Sequence, residues 1–559
     1  MSKTLLRALA LLLVLGLLAG CAVTTRRPSG RTDGALTHDE DDPAPAKPNG
    51  DDPESRPNRA PDKPESPESP TVTAGGVAVH TDYSAYTPYA APEPVYTRLT
   101  PEPIADLKAS DDYGAIYPFM GELLYSPSGW GNGGYFGFFD DSGRIVADPT
   151  YSSVIQMSSY TGRGMEYKPY WLLSRTCNVR TVQDGEYSYL DSDEFYAVAS
   201  LDGSFVTDCI YRHVTTVGDN VLCMPDWRGT AFTLYAPDGR VLLTEQDISF
   251  ADRMPEYGWS FSDGGDGRII VDLTDGYYYM DLSGELLLGP FAYADAFYHG
   301  LAAVSYDTHY YGVIALDGST VLLPVYTSVQ TDDERGILTS DNENHLCRLY
   351  SRTGELQFEV RGDYLDAQPF GFSVTLWGDD STSYLDESGE LLLKTTFDEW
   401  SLLYRTPWLV RQDKGDLVVR SLSTGREGVI KNASTLSPLY YDLMAGLHSS
   451  LPYLCVYNYD KPDVPVRLLD EQLRELLTVD SDGYFGSLAD TLTGEAYLFS
   501  VTGGRYTVYD SALHMLAENV PSPQILGGLL ITTDERATTA RTLDGTVRFC
   551  YPLVTSLDD

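Results

Sequence analysis

The chain has 559 residues, 42% of them hydrophobic, and a formal net charge of −42 at pH 7. Residues 1–69 hold nine basic and eleven acidic residues, so −40 remains on residues 70–559. So acidic a surface repels phosphate backbones, which argues against nucleic-acid binding; it suits solubility, cationic partners or weak binding of divalent cations.

The first twenty residues have the features of a secretion signal peptide. Lys3 and Arg7 give a positive start, and residues 8–18 form an apolar run. A membrane-spanning helix needs roughly 20 apolar residues, so this run is too short to be one. It ends in Leu-Ala-Gly-Cys at 18–21, which resembles the lipobox of bacterial lipoproteins. The resemblance implies lipidation at Cys21 and an extracytoplasmic chain held to the membrane by two acyl chains. An ordinary signal peptide with a chance cysteine is the alternative.

Residues 21–94 form the next predicted segment. They are rich in Pro, Asp, Ser and Glu, as in the acidic run at 39–42, and they are poor in large aliphatic residues. Such a composition buries too little apolar surface to offset the entropy of ordering, which predicts disorder. The prolines favour extended conformations, so we expect a semi-rigid stalk without a binding role of its own.

Residues 95–559 repeat one unit: a β-strand pattern, an Asp/Ser/Gly turn and a second strand pattern. Asp-Gly and Ser-Gly between β-formers predict hairpins, because glycine accepts the positive φ of a tight turn. Weaker copies lie near Glu471 and Ser511. The clearer turns have glycine at positions 143, 203, 239, 284, 318, 354, 389, 425 and 545.

The turn glycines from Gly284 to Gly425 are spaced 34, 36, 35 and 36 residues apart, a period typical of a propeller, solenoid or array. Helical patterns are nearly absent, and the best of them, at 470–477, is short. We therefore predict an all-β ectodomain of repeated hairpins over residues 95–559 that forms a β-propeller-like domain. About eleven hairpin signals exceed the roughly four to eight blades usual for a propeller. One large propeller with irregular blades is our interpretation, and two propellers or an open array are the alternatives.

A family resemblance lies in three segments of one repeat: FYHGLAAV at 297–304, YGVI at 311–314 and PVYTSV at 324–329. Together they resemble the WG-repeat family, and DPTYSSV at 148–154 repeats the last segment. The similarity covers residues 110–400 best. Phe136 and Tyr311 replace the tryptophan for which the family is named. The resemblance implies a β-rich repeat array in bacterial, often exported, proteins, with no shared catalytic residues.

Motifs that carry chemistry are lacking. The chain has no Gly-x-Ser-x-Gly, Ser-x-x-Lys or His-Glu-x-x-His, and no two of its eight histidines have metal-ligand spacing. His299 and His309 are interpreted as surface or turn residues. The Asp-rich turns at 263–267 and 480–483 lack full EF-hand spacing, and solvated turns explain them better than calcium does. We predict no catalytic residues, no metal and no cofactor.

The cysteines and most of the tyrosines are interpreted as packing residues. Six cysteines remain after Cys21, none in a CxxC pair, and we predict no disulfide framework. The 41 tyrosines include runs at 277–279, 310–311 and 440–441. Packing between blades explains them better than ligand binding does, although their rings also suit sugars or a protein partner.

Three functions are compatible with these features. We favour a membrane-anchored, extracytoplasmic binding or scaffold lipoprotein without catalysis, whose partner is an envelope protein or glycan. A carbohydrate or cell-wall binding protein is the first alternative. A propeller-type glycoside hydrolase or lyase is the second, and it requires two carboxylates about 5–10 Å apart.

Overall fold

The computed structural model describes residues 92–125, 133–161, 164–184, 187–226, 231–255, 261–331, 334–403, 406–440, 450–461 and 463–557. The signal peptide, Cys21 and residues 22–91 of the expected stalk lie outside these ranges. The described residues form 44 strands and two short 3-10 turns, Ala251–Arg253 and Trp377–Asp379. Among them, no helix is long and apolar enough to cross a membrane.

The strands form eleven sheets, numbered here in chain order. Sheet 1 contains β1 (Thr97–Arg98), β2 (Ile116–Tyr125), β3 (Gly133–Asp140), β4 (Arg144–Tyr151) and β44 (Val554–Leu557). Sheet 2 contains β5 (Ser153–Thr161), β6 (Gly164–Asp184) and β7 (Tyr187–Ser200).

The other nine sheets are four-stranded antiparallel meanders of consecutive strands. Sheets 3–5 are β8 (His213–Val217), β9 (Asn220–Met224), β10 (Thr233–Tyr235), β11 (Val241–Thr244); β12 (Phe261–Asp263), β13 (Ile269–Leu273), β14 (Gly276–Met280), β15 (Leu286–Phe291); and β16 (Tyr293–Ala294), β17 (Leu301–Ser305), β18 (Tyr311–Ala315), β19 (Thr320–Tyr326). Sheets 6–8 are β20 (Ser328–Gln330), β21 (Ile337–Asp341), β22 (Leu346–Tyr350), β23 (Leu356–Arg361); β24 (Tyr364–Gln368), β25 (Gly371–Leu376), β26 (Ser381–Leu385), β27 (Leu391–Thr396); and β28 (Ser401–Leu402), β29 (Trp408–Asp413), β30 (Asp416–Ser421), β31 (Glu427–Ile430). Sheets 9–11 are β32 (Thr435–Tyr440), β33 (Ser450–Tyr457), β34 (Val466–Asp470), β35 (Glu475–Val479); β36 (Tyr484–Ala489), β37 (Ala496–Thr502), β38 (Arg505–Tyr509), β39 (Met515–Val520); and β40 (Pro523–Leu526), β41 (Leu529–Thr533), β42 (Ala537–Thr542), β43 (Val547–Pro552).

The sheets are the blades of a β-propeller, which confirms the predicted fold class. Ten sheets have four or five strands and form a ten-blade arrangement, with the three-stranded sheet 2 between the first and second of them along the chain. The strands of each four-stranded blade are called A to D in chain order. Strand A is the inner strand, since β32 packs on β36 and β36 packs on β40. The A–B and C–D turns therefore lie at one end of a blade, and the B–C turn and the connection to the next blade lie at the other.

The C–D turns confirm the predicted hairpins. Every predicted turn glycine has positive φ, from +68° at Gly425 to +93° at Gly545, including Gly203, which follows β7 of sheet 2. At the two weaker copies, Leu473 and Leu513 adopt the same conformation, with φ of 62° and 67°. An aspartate that precedes the turn accepts backbone N–H bonds two and four residues on, as Asp386 does from Ser388 and Glu390. The abundant acidic residues are therefore in part turn acceptors. Residues 470–477, the best helical pattern, form the end of β34, a turn and the start of β35.

Sheets 1 and 5 share a detail of the repeat. Gly137 of β3 and Gly312 of β18 each follow an aromatic residue, and a Cβ on either would lie within 2.6 Å of a carbonyl oxygen of the next strand, β4 or β19. These two blades therefore require glycine at that position. Close strand packing thus explains the glycine of the aromatic-glycine pair.

The first and last sheets pack against each other. Phe549 of β43 stacks on Phe139 of β3 with ring centroids 4.2 Å apart, and its ring lies 4.9 Å from that of Phe119. Thr538 of β42 donates a hydrogen bond to the Met120 carbonyl at 2.6 Å. Farther out, Val95 forms an antiparallel bridge with Cys550, and β1 pairs in parallel with β4. We call this contact between sheets 1 and 11 the closing junction.

Candidate functional site

The candidate site is at the B–C end of sheets 5–8. It consists of four B–C turns, at 306–310, 342–345, 377–380 and 413–416, together with the connections at 363 and 397–400. We call this surface the acidic crescent. Its exposed carboxylates are Asp307, Glu343, Asp379, Asp380, Asp398, Glu399 and Asp413.

Hydrogen bonds link the turns of neighbouring blades in the first half of the crescent. The Tyr310 hydroxyl of sheet 5 donates to the Glu343 carboxylate of sheet 6 at 3.0 Å. In the same turn of sheet 6, His345 pairs with Asp363, which lies in the connection to sheet 7. The Trp377 backbone N–H of sheet 7 donates to that same Asp363 carboxylate at 2.9 Å. Three successive blades are therefore held in a fixed relation at this end.

The second half continues in the same way. The Phe397 N–H donates to the Asp380 carbonyl at 3.0 Å. In sheet 8, the guanidinium of Arg411 lies 4.9 Å from the centre of the Trp400 ring. The ammonium of Lys431, which lies in the connection from sheet 8 to sheet 9, bonds the Asp416 carboxylate of sheet 8 at 2.7 Å. The crescent is thus pre-organised across four blades, which lowers the entropy lost when a partner binds.

Large apolar rings on the crescent face solvent. Tyr306 is 61% exposed, Trp377 is 55% exposed and Phe397 is 47% exposed. Tyrosine and tryptophan are the residues enriched at energetically dominant positions in protein interfaces. Elsewhere most tyrosines of the predicted runs pack between strands. Tyr279 is fully buried and donates to the Asp295 carbonyl at 2.6 Å. Tyr441 lies outside the described residues.

Hydrogen bonds lower the pKa of three carboxylates of the crescent, Asp307, Asp363 and Asp416. The pKa of Asp307 is lowered by backbone N–H donors from Tyr310 and His309. The pKa of Asp363 is lowered by its hydrogen bond from His345, and the pKa of Asp416 by its hydrogen bond from Lys431. Hydrogen bonds that stabilise the charged form have this effect. These three side chains therefore keep their negative charge at neutral pH.

A cavity of about 660 Å³ lies beside the crescent in sheet 8 and extends to β32. Asp398, Glu399 and Arg411 line it, and the Gln412 side-chain amide donates to the Ser434 carbonyl at 2.8 Å. The cavity therefore adds charged groups of both signs to one end of the surface.

In the first of the two Asp-rich turns, Asp263 and Asp266 accept backbone hydrogen bonds. Asp263 accepts the N–H groups of Gly218 and Gly265, and Asp266 accepts the N–H of Gly300. Within the described ranges, no three His, Cys, Asp or Glu side chains are grouped closely enough to hold a metal ion. His309 lies in the crescent, whereas His299 lies at the other end of sheet 5 and faces Glu334 at 3.9 Å.

Sequence reasoning identified the C–D turns and did not identify the B–C turns that form the crescent. Their signal is weaker because each has a different sequence: YDTHY, NENH, WGDD and DKGD. What they share is position in the repeat, which becomes visible only after strands B and C of each blade are aligned.

No family model matches the chain, and the search of curated proteins finds no match. Among solved structures, it is similar to BamB from Moraxella catarrhalis, with 11% identity over 71% of this chain and 98% of that one and a TM-score of 0.22. It is also similar to virginiamycin B lyase from Staphylococcus aureus, with 11% identity over 50% of this chain and 99% of that one and a TM-score of 0.21. Hsv2p from Kluyveromyces lactis gives 11% identity over 43% and 88%, with a TM-score of 0.24. Similarity this weak says nothing about function.

Proposed function

We propose that the protein is a lipid-anchored, extracytoplasmic binding or scaffold protein without catalytic activity, built from WG-like repeats. In this proposal the acidic crescent binds a basic protein of the cell envelope. The observation that carries it is the chain of hydrogen bonds from Tyr310 to Asp380, which fixes exposed aromatic rings among exposed carboxylates.

Two physical effects support a basic protein partner. The carboxylates attract a cationic surface over long range and raise the rate of association. Once the partner is in contact, the rings of Tyr306 and Trp377 supply apolar area that is lost to water. Because the turns are already held in place by hydrogen bonds, little ordering is required on binding.

The binding test uses immobilised full-length protein and envelope proteins captured at low salt, followed by a salt gradient. The Debye length falls from about 10 Å at 0.1 M to about 3 Å at 1 M, so a basic partner should elute as salt rises. The double variant Asp379→Lys with Asp413→Lys should slow association of the eluted partner by about tenfold.

The matched control is Glu355→Lys with Glu387→Lys. It makes the same change in net charge on exposed residues at the opposite end of sheets 6 and 7. The control should bind as the natural protein does. Equal loss in both double variants would mean that total charge, and not the crescent, governs binding, and the proposal would fail.

Carbohydrate or cell-wall binding is the second candidate, because the exposed rings of the crescent also suit a sugar face. Such contacts are short-range and mostly uncharged, so they are insensitive to salt. Retention of the ligand through about 1 M salt, where screening is nearly complete, with release by free glycan would favour this candidate over a protein partner.

The anchoring part of the proposal depends on Cys21. The Cys21→Ala variant should lose lipid labelling and move from the membrane fraction to the soluble fraction, because a diacylglyceryl group is needed for stable anchoring. Ser2→Ala is a suitable control, since it changes the signal peptide without touching the lipidation site. Retention of Cys21→Ala in washed membranes would contradict the anchoring.

A further inference from the structure

The cysteines after Cys21 fall into two groups by burial. Four are at most 1% exposed, and each lies in a strand of a different sheet: Cys223, Cys347, Cys455 and Cys550. The other two, Cys177 in β6 of sheet 2 and Cys209 in the connection from sheet 2 to sheet 3, are partly exposed. All six are free thiols in the structure. Among the described residues, the two thiols that a reagent in solution can reach therefore lie in one part of the molecule.

Cys209 lies over the hydrogen-bonded ladder between β6 and β7. Its thiol donates to the Phe195 carbonyl at 3.3 Å. Phe195 of β7 pairs with Arg175 of β6, and Cys177 is the second residue after Arg175. Residues two apart on a strand point to the same face and are about 7 Å apart. The Cys209 sulfur is therefore about one such step along β6 from Cys177.

Both cysteines are on the same face of sheet 2. Side chains alternate between the faces along a strand, so Trp171 and Cys177 share one face and Tyr170 lies on the other. Trp171 belongs to the core cluster of sheet 1, and Cys209 packs against that cluster, whereas Tyr170 belongs to a different one. The electrostatics agree with this placement. Burial raises the pKa of Cys209 to about 11, the Arg175 guanidinium opposes this rise, and negative charge at Cys177 adds to it.

We propose that Cys177 and Cys209 form a disulfide under oxidising conditions. Cys209 lies between the isolated bridges of Val206 and Tyr211 and has no ladder partner among the described residues, so the connection can make the shift that an S–S bond requires. As the bond forms, the two thiols lose two protons and two electrons, and the oxidant, a protein or small-molecule disulfide, is reduced to two thiols. The proposal takes from the proposed function only the location outside the cytoplasm, where disulfides persist, and it does not involve the acidic crescent.

The disulfide fixes the base of a two-stranded ribbon. β5 pairs with β6 only up to Ser174, so β6 and β7 continue beyond it as a pair. A two-stranded hairpin on its own is at best marginally stable in water. The ladder is also interrupted directly after Cys177, where Asn178 has a φ of 52°. A bond from Cys177 to the connection into sheet 3 therefore restrains the ribbon where it leaves the three-stranded part of sheet 2.

The test uses purified full-length Cys21→Ala protein, whose six thiols are the same whatever happens at the lipidation site. Incubation with oxidised glutathione should lower its mass by two hydrogen atoms per chain and join the peptides that contain Cys177 and Cys209. Before oxidation, maleimide should label two cysteines of the folded protein, and afterwards none, because the other four are buried. The amides of residues 178–182 should exchange hydrogen at least about tenfold more slowly in the oxidised protein.

Single variants in the same background locate the bond. Cys177→Ser and Cys209→Ser should each keep one reactive thiol and gain one glutathione instead of losing hydrogen. Cys455→Ala, which changes a buried cysteine of sheet 9, should still form the bond. Glutathione on both cysteines without a bond between them, a bond to another cysteine, or no reaction would overturn the proposal. A bond that forms in the purified protein but is absent from protein recovered from cells with blocked thiols would support the pairing and contradict the extracytoplasmic location.

Discussion

Sheet 5 and sheet 1 are built from the same repeat, but they are completed in different ways. Sheet 5 takes all four strands from consecutive residues 293–326. Sheet 1 takes β44 from the far end of the chain, and its Met120 carbonyl accepts a hydrogen bond from a residue 418 positions away. The difference shows that a blade is specified locally, whereas closure of the ring is specified by contacts between residues that are distant in sequence.

The largest expected effect comes from the closing junction. Phe549→Ala removes a fully buried ring from the contacts with Phe139 and Phe119, and Phe→Ala in a core typically costs about 3–5 kcal/mol. Phe372→Ala, a fully buried ring in sheet 7, is the matched control and should cost about as much. Hydrogen exchange should separate them: Phe549→Ala should expose amides of β1, β2 and β43 together, and Phe372→Ala only those of sheets 6 and 7. The same local pattern in both variants would mean that the junction is not a cooperative unit.

The buried carboxylate of Asp490 allows hydrogen bonds between blades to be compared with hydrogen bonds within one turn. Asp490 is fully buried and accepts backbone N–H bonds from Leu492 in its own sheet and from Gly527 and Gly528 in the next. Asp490→Ala leaves these donors unpaired, and we expect a loss of about 3 kcal/mol in the free energy of unfolding. Asp386→Ala, which affects only its own turn, should cost about 1 kcal/mol. Equal losses in denaturant titrations would contradict the role of Asp490 between sheets.

Two glycines with positive φ allow a turn that contacts another sheet to be compared with a turn that does not. A Cβ on Gly143 would lie 2.5 Å from the Arg548 carbonyl oxygen of the last sheet, whereas a Cβ on Gly545 would meet nothing within 4 Å. Gly545→Ala should cost about 1 kcal/mol from backbone strain alone. Gly143→Ala should cost about 2–3 kcal/mol, because it also forces the two sheets apart. A Gly143→Ala variant as stable as Gly545→Ala would show that sheets 1 and 11 can move apart without loss of unfolding free energy.

The dependence of stability on pH is smallest near neutral pH and appears in acid. Burial lowers the pKa of His213 to about 4, below its unfolded value near 6.5, so the unfolded chain binds the proton first and stability falls as pH drops through this window. Hydrogen bonds from Ser319, Ser388 and Thr542 lower the pKa values of Asp317, Asp386 and Asp544. Their contribution is complete above about pH 4 and is lost as pH falls through the lower folded values.

The two windows can be separated by mutation. His213→Gln should remove the slope of unfolding free energy between about pH 6.5 and 4 and leave the slope at lower pH unchanged. Denaturant titrations at a series of pH values measure both slopes. An unchanged slope above pH 4 in His213→Gln would show that other groups titrate there.

The turns were predictable because each depends on a few adjacent residues. Asp-Gly and Ser-Gly pairs indicated hairpins that the structure contains, including the weaker copies, where leucine takes the left-handed conformation at Leu473 and Leu513. The long hairpin of β6 and β7 was not predicted, because strands of 21 and 14 residues are much longer than the strands of the repeating unit. Nor were β1 and β44, because two to four residues carry too little pattern to identify a strand or its partner.

The candidate site was less predictable than the fold. Carboxylates and tyrosines were recognised as abundant, but abundance does not say which of them share a surface. The bond from Tyr310 to Glu343 joins residues 33 positions apart and the bond from His345 to Asp363 joins residues 18 apart. Such spacings follow from the arrangement of blades and not from any local motif.

The chain enters the propeller at its outer edge, where Val95 bridges to Cys550 and β1 lies against β4. A pulling force applied through the residues before Pro92 would therefore act first on the strands that join the two ends of the ring. Unfolding under tension should begin there, with Val95 detaching from Cys550 and β1 from β4 before any regular blade is disturbed. The closing junction should therefore open before the regular blades under load. Single-molecule stretching from residue 92 should show an early short extension that Phe549→Ala shifts to lower force.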